Sequence, residues 1–391
     1  MELRRRRFGL LMFALLFLFF FGFYLFNQRY TTRWIYWFDD WIFYADTSTY
    51  YSTMKNFSLE GEVRKHPLFS VLVHPMVAVA KTVFDIKTRQ AVKMVIAAVA
   101  ALNIALVFVL LYSALADVHT ALLFTGFYGV LFSNLVFFSI PETYSLTNLG
   151  IGAYFILTVR FHERITPYRS VILGITAGLG ALLNPPLGLL LFSLYTMCLL
   201  QHGLRQGLKL ALPPTLVAVF IFTGANFLLY GFDYIEHSQK LVSRWASFSN
   251  YFDPVKWFNV GISFFIFGAI SPLQELERSI RLEHALAYFH SPIKAVIVSI
   301  FTALVAYSLT TAARRRTDML LLASVTWIVV LYLFYVYFNP NEAFLYSPQI
   351  QVPFILILAT GFDEINWKWK QIAFLVFIFG VGYINMRCFL S

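Results

Sequence analysis

The chain has 391 residues, of which 59% are hydrophobic, 19% are aromatic and only 13% are charged. A soluble domain carries roughly a quarter charged residues, so this composition excludes a soluble globular protein and indicates a polytopic membrane protein. The formal charge of +10 lies in short Lys and Arg clusters between apolar runs. Such clusters are typical of loops that set membrane orientation and argue against a nucleic-acid partner.

The N-terminus and the cysteines exclude two further classes. Four arginines, Arg4 to Arg7, precede an apolar run over 8–26 that no small-residue cleavage site follows, which indicates a retained first span rather than a signal peptide. Cys198 and Cys388 lie in apolar runs without CxxC spacing. Disulfide bonds and structural zinc are therefore not expected.

Apolar runs that can cross a bilayer, about 17 to 25 residues each with a few shorter, recur along the whole chain. They predict a single all-α transmembrane domain over 1–391 with about 11 transmembrane helices. The runs cover 8–26, 92–115, 120–138, 143–159, 170–184, 186–200, 210–230, 292–311, 318–338, 347–361 and 371–388.

Charge in the connections orients this bundle. With Arg4 to Arg7 in the cytoplasm, strict alternation places 139–146 and 338–347 outside, and neither contains Lys or Arg. This asymmetry is what the positive-inside rule predicts. The connections assigned to the cytoplasmic side are all rich in Lys or Arg, and they are 160–169, 201–209, 313–318 and 363–370.

Alternation requires that two apolar segments, 67–84 and 258–273, do not each cross alone. Both contain proline, and we predict juxtamembrane or re-entrant helices there. Two large extracytoplasmic loops result, 27–91 and 231–291. The sequence NPP at 184–186 predicts either a simple hairpin bend or an interrupted helix that turns Asn184 towards a cavity.

An acidic, aromatic stretch, FDDWIFYADTSTYY at 38–51, opens the first outer loop. Acids beside hydrocarbon are costly unless cations, a metal or a reaction requires them. Arg64, Lys65 and His66 follow in the same loop, and Arg244 lies in the second. Carboxylates facing cations suit a reaction between a hydroxyl, which needs a general base, and a phosphate leaving group, which needs positive charge.

Four motifs in this order carry a family resemblance: ADTSTYY at 45–51, HPLFSVLVHP at 66–75, SIPETYSL at 139–146 and NPNEAFLYSPQIQVP at 339–353. The chain resembles the GT-C superfamily of membrane glycosyltransferases, which includes the protein O-mannosyltransferases and the lipid A aminoarabinose transferase. The resemblance implies a GT-C type bundle, a polyprenyl-phosphate-linked sugar donor and a catalytic acid in the first outer loop.

The resemblance also implies residue roles. Asp46 is expected to deprotonate the acceptor hydroxyl, with inversion at the sugar. Many relatives have Asp-Glu where this chain has Asp46 and Thr47, so the second acid is expected from Asp39, Asp40 or Glu142. The donor phosphate is assigned to Arg64, Lys65, His66 and Arg244, and the acceptor or sugar to Tyr50, Glu142, Tyr144, Glu342 and Tyr346.

Each acid also has a plainer interpretation. Asp46 is expected to cap a juxtamembrane helix if it is not the base, and Glu142 to favour the start of the next helix. Asp39 and Asp40 form either a solvated pair or ligands for a divalent cation. The scheme itself requires no cofactor, and a metal is not predicted.

Two other functions compete with glycosyl transfer. One is an O-antigen ligase or polymerase that uses a lipid-diphosphate donor; the other is a flippase for lipid-linked sugars, which would place ionisable groups near the middle of its spans. The expected partners are a polyprenyl-phosphate-sugar and a glycan, lipid or protein acceptor. The expected location is the bacterial inner membrane with a periplasmic site, or alternatively the endoplasmic reticulum with a lumenal site.

Overall fold

The computed structural model describes residues 2–31, 43–115, 117–273, 280, 282–315 and 317–390. Over these residues the chain is all-helical, without a β-strand, as the sequence predicts. The α-helices are α1 Glu2–Thr31, α2 Thr47–Lys55, α3 Pro67–Phe84, α4 Thr88–Ala114, α5 Val118–Val130, α6 Phe132–Phe137, α7 Tyr144–Phe161, α8 Pro167–Leu183, α9 Leu190–Tyr230, α10 Asp233–Trp245, α11 Pro254–Ile262, α12 Pro292–Arg314, α13 Met319–Tyr337, α14 Ala343–Tyr346, α15 Pro348–Asp363 and α16 Lys370–Leu390.

Seven of the described helices are long and apolar enough to cross a bilayer. These candidates are Arg7–Tyr30, Pro67–Phe84, Thr88–Ala114, Pro185–Tyr230 (α9 with the short helical turn before it), Pro292–Arg314, Met319–Tyr337 and Lys370–Phe389. Helices α14 and α15 form an eighth candidate, bent by 65° at the break between them. The chain is therefore a multi-pass membrane protein.

Helix α9 is longer than one span requires, and it is bent. At 41 residues and about 1.5 Å per residue, a straight helix would be roughly twice as long as the 30 Å hydrocarbon core. Gly203 interrupts it with φ of 71° and ψ of 175°, a backbone conformation that glycine adopts without strain. This bend falls inside 201–209, which the sequence predicts as a connection between two runs.

Helices α1 and α4 pack antiparallel. The Gln28 side chain donates to the Lys93 carbonyl at 3.2 Å, and at the other end the rings of Phe8 and Tyr112 are 6.2 Å apart. The intervening segment therefore starts and ends at the same end of this pair. The segment, of which α3 is a part, therefore makes no net crossing, although the length and composition of α3 would allow it to span.

Contacts at the two ends of the bundle separate the connections into two groups. At one end, Arg315 forms an ion pair with Glu364 at 3.2 Å and Gln371 donates to Asp117 at 2.9 Å. At the other end, Asn27 donates to Ser139 at 2.6 Å. We call these the basic end and the acidic end, after their short connections, which are rich in Lys and Arg at the first and carry Glu as their only charged residue at the second.

Helix α15 is the centre of the core, since it is buried from Pro348 to Phe362 and packs against α5, α7, α12 and α13. A helix that is apolar all round is stable only when protein or lipid surrounds it completely. Because this helix is central, the connection that precedes it, 338–347, lies in the middle of the acidic end.

Candidate active site

Three connections that are distant in sequence meet at the acidic end. The ring of Phe43 packs on Phe344 with centroids 4.7 Å apart, and the rings of Tyr144 and Tyr346 are 6.4 Å apart. The backbone N–H of Asp46 donates to the carboxyl of Glu142. The structure thus brings together the first-loop motif, SIPETYSL and the NPNEAFLYS segment.

Asp46 is the N-cap residue of α2, yet its side chain does not cap the helix. The structure therefore does not show the capping role that its sequence position allows. Two residues just before it, Phe43 and Tyr44, have positive φ angles of 49° and 61°. Such left-handed backbone costs about 1–3 kcal/mol per residue and is typical of functional sites whose surroundings hold it in place.

Glu142 is 6% exposed and accepts several hydrogen bonds. The N–H and hydroxyl of Thr143 donate to its Oε1 at 2.8 and 3.1 Å, and the Asp46 N–H donates as well. Burial, and secondarily the charge of Asp46, raise the pKa of Glu142 to about 8, whereas these donors lower it. At neutral pH Glu142 is therefore protonated beside Asp46, and its hydrogen bond with the Asp46 N–H holds the Asp46 backbone in place.

An aromatic wall stands beside this acid pair. Tyr346 stacks on Tyr335 with ring centroids 4.1 Å apart, and the Tyr335 hydroxyl donates to Gln349 at 3.2 Å. Glu342 accepts from the side chain of Asn339 at 2.6 Å. Tyr335 is 1% exposed, so the ring of this pair that a ligand can reach is that of the partly exposed Tyr346. An aromatic ring next to amide and carboxyl groups suits a sugar, which has apolar ring faces and hydroxyl edges.

His66 is held at the acidic end by the helix break at 184–186. Helix α8 ends at Leu183, and His66 donates from Nδ1 to the Leu183 carbonyl at 2.7 Å, which satisfies a group that the break leaves without a helical partner. Burial lowers the pKa of His66 to about 3, against the effect of that bond. His66 is therefore neutral at pH 7, and it offers Nε2 as an acceptor rather than a positive charge.

The positive charge of the cluster at 64–66 therefore comes from Arg64 and Lys65. The Arg64 guanidinium lies 5.7 Å from the ring centre of Tyr230, at the end of α9. Within the described part of the chain, Arg64 Nε and the Tyr230 hydroxyl are both buried without a hydrogen-bond partner. Buried polar groups are normally paired, so these two donors match the oxygen atoms of an anion.

The second large loop joins the site from another side. The N–H of Asn339 donates to the Trp245 carbonyl at 3.1 Å, and the Arg244 guanidinium lies 4.8 Å from the Trp245 ring centre. Lys256 donates to Asn341 at 2.6 Å. These contacts place Arg244 beside the connection before α15.

The remaining predicted acceptor residue, Tyr50, is buried against Phe69 and His66, with ring centroids 5.0 and 6.0 Å away. Asp39 and Asp40 lie outside the described residues. Within the described ranges, no group of three or more His, Cys, Asp or Glu side chains is placed to hold a metal ion.

Sequence reasoning missed three residues of this site. Tyr335 and Tyr230 end apolar runs, where tyrosine is ordinarily an interfacial anchor. Lys256 follows Pro254 in a segment without a recognised motif. The one available signal was position, because all three lie at the predicted outer end of a run or in an outer loop.

The chain was also compared with known proteins. No family model matches it, and no curated protein matches it significantly.

Proposed function

We propose that this protein is a membrane glycosyltransferase of the GT-C type, which moves a sugar from a polyprenyl-phosphate donor to an acceptor hydroxyl on the extracytoplasmic face. The observation that carries the proposal is the position of Asp46, an acid whose side chain does not cap its helix, beside buried Glu142 and an aromatic wall. Cations flank the same end of the bundle.

In the proposed reaction, Asp46 removes the proton of the acceptor hydroxyl, and the oxygen attacks the anomeric carbon with inversion. The bond from that carbon to the phosphate oxygen breaks, and polyprenyl phosphate leaves with the bonding electrons. Arg64 and Lys65 offset its charge. Glu142, neutral and bonded to the Asp46 backbone, keeps the base in position without adding a second charge.

The membrane topology belongs to the same proposal. We infer about 11 crossings, supported by the bend at Gly203, which falls in the connection 201–209 between two of the predicted runs. The basic connections gather at one end. By the positive-inside rule that end faces the cytoplasm, which places Asp46 on the opposite face, expected to be periplasmic or lumenal.

The test is transfer from a radiolabelled polyprenyl-monophosphate sugar by the purified full-length protein, supplied with extracts of membrane lipid, glycan and protein. Asp46→Asn should lower the rate by about 10²- to 10⁴-fold, the usual contribution of a general base, with donor binding retained. The matched control is Asp253→Asn, which changes another outer-loop acid that caps α11.

Full activity of the Asp46→Asn variant would contradict the site assignment. Activity with polyprenyl-diphosphate sugars alone would favour a ligase or polymerase. Transport of lipid-linked sugar across vesicles without any transfer would favour a flippase.

A further inference from the structure

Asn339, in the connection 338–347 before α15, has a backbone conformation that few residues adopt. Its φ and ψ angles are 53° and 57°, in the left-handed region, which asparagine tolerates better than most residues other than glycine. The residue is 5% exposed. A buried polar residue in this conformation persists only where its surroundings hold it, and such residues are typical of functional sites.

The second large loop holds the backbone of Asn339 in place. The Asn339 N–H donates to the Trp245 carbonyl at 3.1 Å. One residue earlier in each segment of this pairing, or one later, the chain repeats the contact, because Phe338 forms an isolated antiparallel β-bridge with Ala246. Since the backbone is fixed on this side, the direction of the Asn339 side chain is defined as well.

The Asn339 side chain bonds to two of the residues that the resemblance assigns to the acceptor or sugar. Its Nδ2 donates to Glu342 Oε2 at 2.6 Å and, more weakly, to the Tyr346 hydroxyl oxygen at 3.4 Å. The Glu342 N–H donates back to the Asn339 carbonyl at 3.2 Å. One amide nitrogen therefore sets the position of the Glu342 carboxylate relative to the Tyr346 ring.

Glu342 and Tyr346 are close to the acid pair of the candidate site. The charges of Asp46 and Glu142, as well as that of Glu342, act on the Tyr346 hydroxyl. A carboxylate has about four acceptor sites, so Glu342 can accept from Asn339 and from a ligand hydroxyl at the same time. The ionisable groups that other segments bring to this connection are Asp46, Glu142, Arg244 and Lys256.

We propose that Asn339 is a positioning residue of the candidate active site, which holds the Glu342 carboxylate and the Tyr346 hydroxyl in the geometry that binds the acceptor or sugar. Asn339 acts through these two residues and need not touch the substrate. This role rests on the proposed glycosyl transfer.

The experiment compares Asn339→Asp with the wild type in the transfer assay at pH 6 and pH 8. Aspartate has nearly the size of asparagine and also tolerates left-handed backbone, but its carboxylate cannot donate to Glu342. Relative to the wild type, activity at pH 8 should fall about 10- to 100-fold, the effect of losing a hydrogen bond to a charged group. Two adjacent carboxylates raise one another's pKa, so at pH 6 a shared proton should restore the bond and much of the activity.

Asn339→Gly separates the side chain from the backbone. Glycine adopts the left-handed conformation without strain, so this variant should fold with little change in Tm. It should lose activity by a similar factor at both pH values, because it has no group that can take up the proton. The matched control is Asn341→Asp, the same change at an exposed asparagine whose Oδ1 accepts from Lys256 at 2.6 Å. Aspartate keeps that acceptor, so activity should not change.

Two results overturn the role of the Asn339 side chain: wild-type activity in Asn339→Gly, or a loss in Asn339→Asp that is equal at pH 6 and pH 8. If Asn339→Asp does not fold, the activity of Asn339→Gly against the Asn341→Asp control decides. A wild type that transfers no sugar contradicts the proposed function and this role with it. An active wild type with unaffected Asn339 variants contradicts this role alone.

Discussion

The two ends of this bundle use charge in opposite ways. At the acidic end Glu142 is 6% exposed and fully engaged by donors. At the basic end the ion pair of Arg315 and Glu364 leaves those side chains 44% and 48% exposed. Exposed pairs contribute little stability because water and salt screen them, whereas a buried acid must be held by specific partners.

The charges at the two ends are therefore expected to have different roles: those at the basic end orient the protein in the membrane, and those at the acidic end support the proposed reaction. Lys and Arg in the short connections at the basic end support the proposed orientation without defined geometry, because the positive-inside rule counts charges in short connections. The proposed chemistry at the acidic end needs defined geometry, and that end has a buried acid, stacked tyrosines and left-handed backbone before Asp46. Perturbed acids in such settings are candidates for catalysis.

The largest effect is expected in a test of whether the two ends lie on opposite sides of the membrane. Single cysteines at Asn56 and Thr317 would be labelled with an impermeant maleimide in intact cells or sealed vesicles. Native Cys198 and Cys388 are buried, so background should be low. Asn56→Cys should react from outside, and Thr317→Cys only after permeabilisation; labelling of both from one side would refute the topology.

The donor end of the site is tested next, at Arg64 and Tyr230. Arg64→Gln and Tyr230→Phe should each raise the KM for the polyprenyl-phosphate sugar about tenfold with a smaller change in kcat, because each removes a donor to the phosphate. Steady-state kinetics measures this. Tyr234→Phe is the control, since its ring stacks beside Tyr230 at 6.4 Å; an equal effect there would argue against the assignment.

The pKa of Glu142 predicts how transfer activity at the acidic end depends on pH. Ionisation of Glu142 above pH 8 would place a second negative charge beside Asp46, so transfer activity should fall there. Glu142→Gln mimics the protonated acid and should keep most activity at pH 7 while losing this alkaline fall. A pH–rate profile of both proteins measures it, and an unchanged alkaline limb in the variant would show that another group is responsible.

The stability of the fold should also depend on pH through Glu142. The pKa of Glu142 is raised from 4.5, so the folded state holds a proton that the unfolded state releases. The resulting stabilisation is fully present below pH 4.5 and is lost as the pH rises to about 8. Thermal unfolding at several pH values should show this loss in the wild type and a smaller one in Glu142→Gln.

The smallest effect is expected at the basic end. Asp318→Asn weakens the cap of α13 and an exposed ion pair, so it should cost about 0.5–2 kcal/mol of stability and leave transfer activity unchanged. Thermal unfolding and the transfer assay measure the two. A loss of activity comparable to that of Asp46→Asn would remove the distinction between the ends.

Hydropathy predicted the all-α class and the grouping of connections, because both depend on composition averaged over whole segments. It also placed a connection at 201–209, where Gly203 bends the chain. The contact between Asp46 and Glu142 was expected only as one of three options for a second acid. Sequence alone cannot choose among them, because the choice depends on how α2 and α7 pack.

The charge of His66 shows a different limit. A histidine between lysine and proline suggests a cation for the donor phosphate, and that role was predicted. The structure instead buries the ring against the end of α8 and leaves it neutral. That outcome depends on a helix break more than 100 residues away, which no local pattern around residue 66 reveals.

The hydrogen bond between His66 and the Leu183 carbonyl couples the helix break after α8 to the first loop. If Pro185 and Pro186 were replaced by residues that extend α8, the Leu183 carbonyl would gain a helical donor and release the imidazole. A change in the interior of the bundle would then loosen the segment that carries Arg64, Lys65 and Tyr50. Mutations far from the reacting atoms can therefore alter substrate handling without touching a substrate.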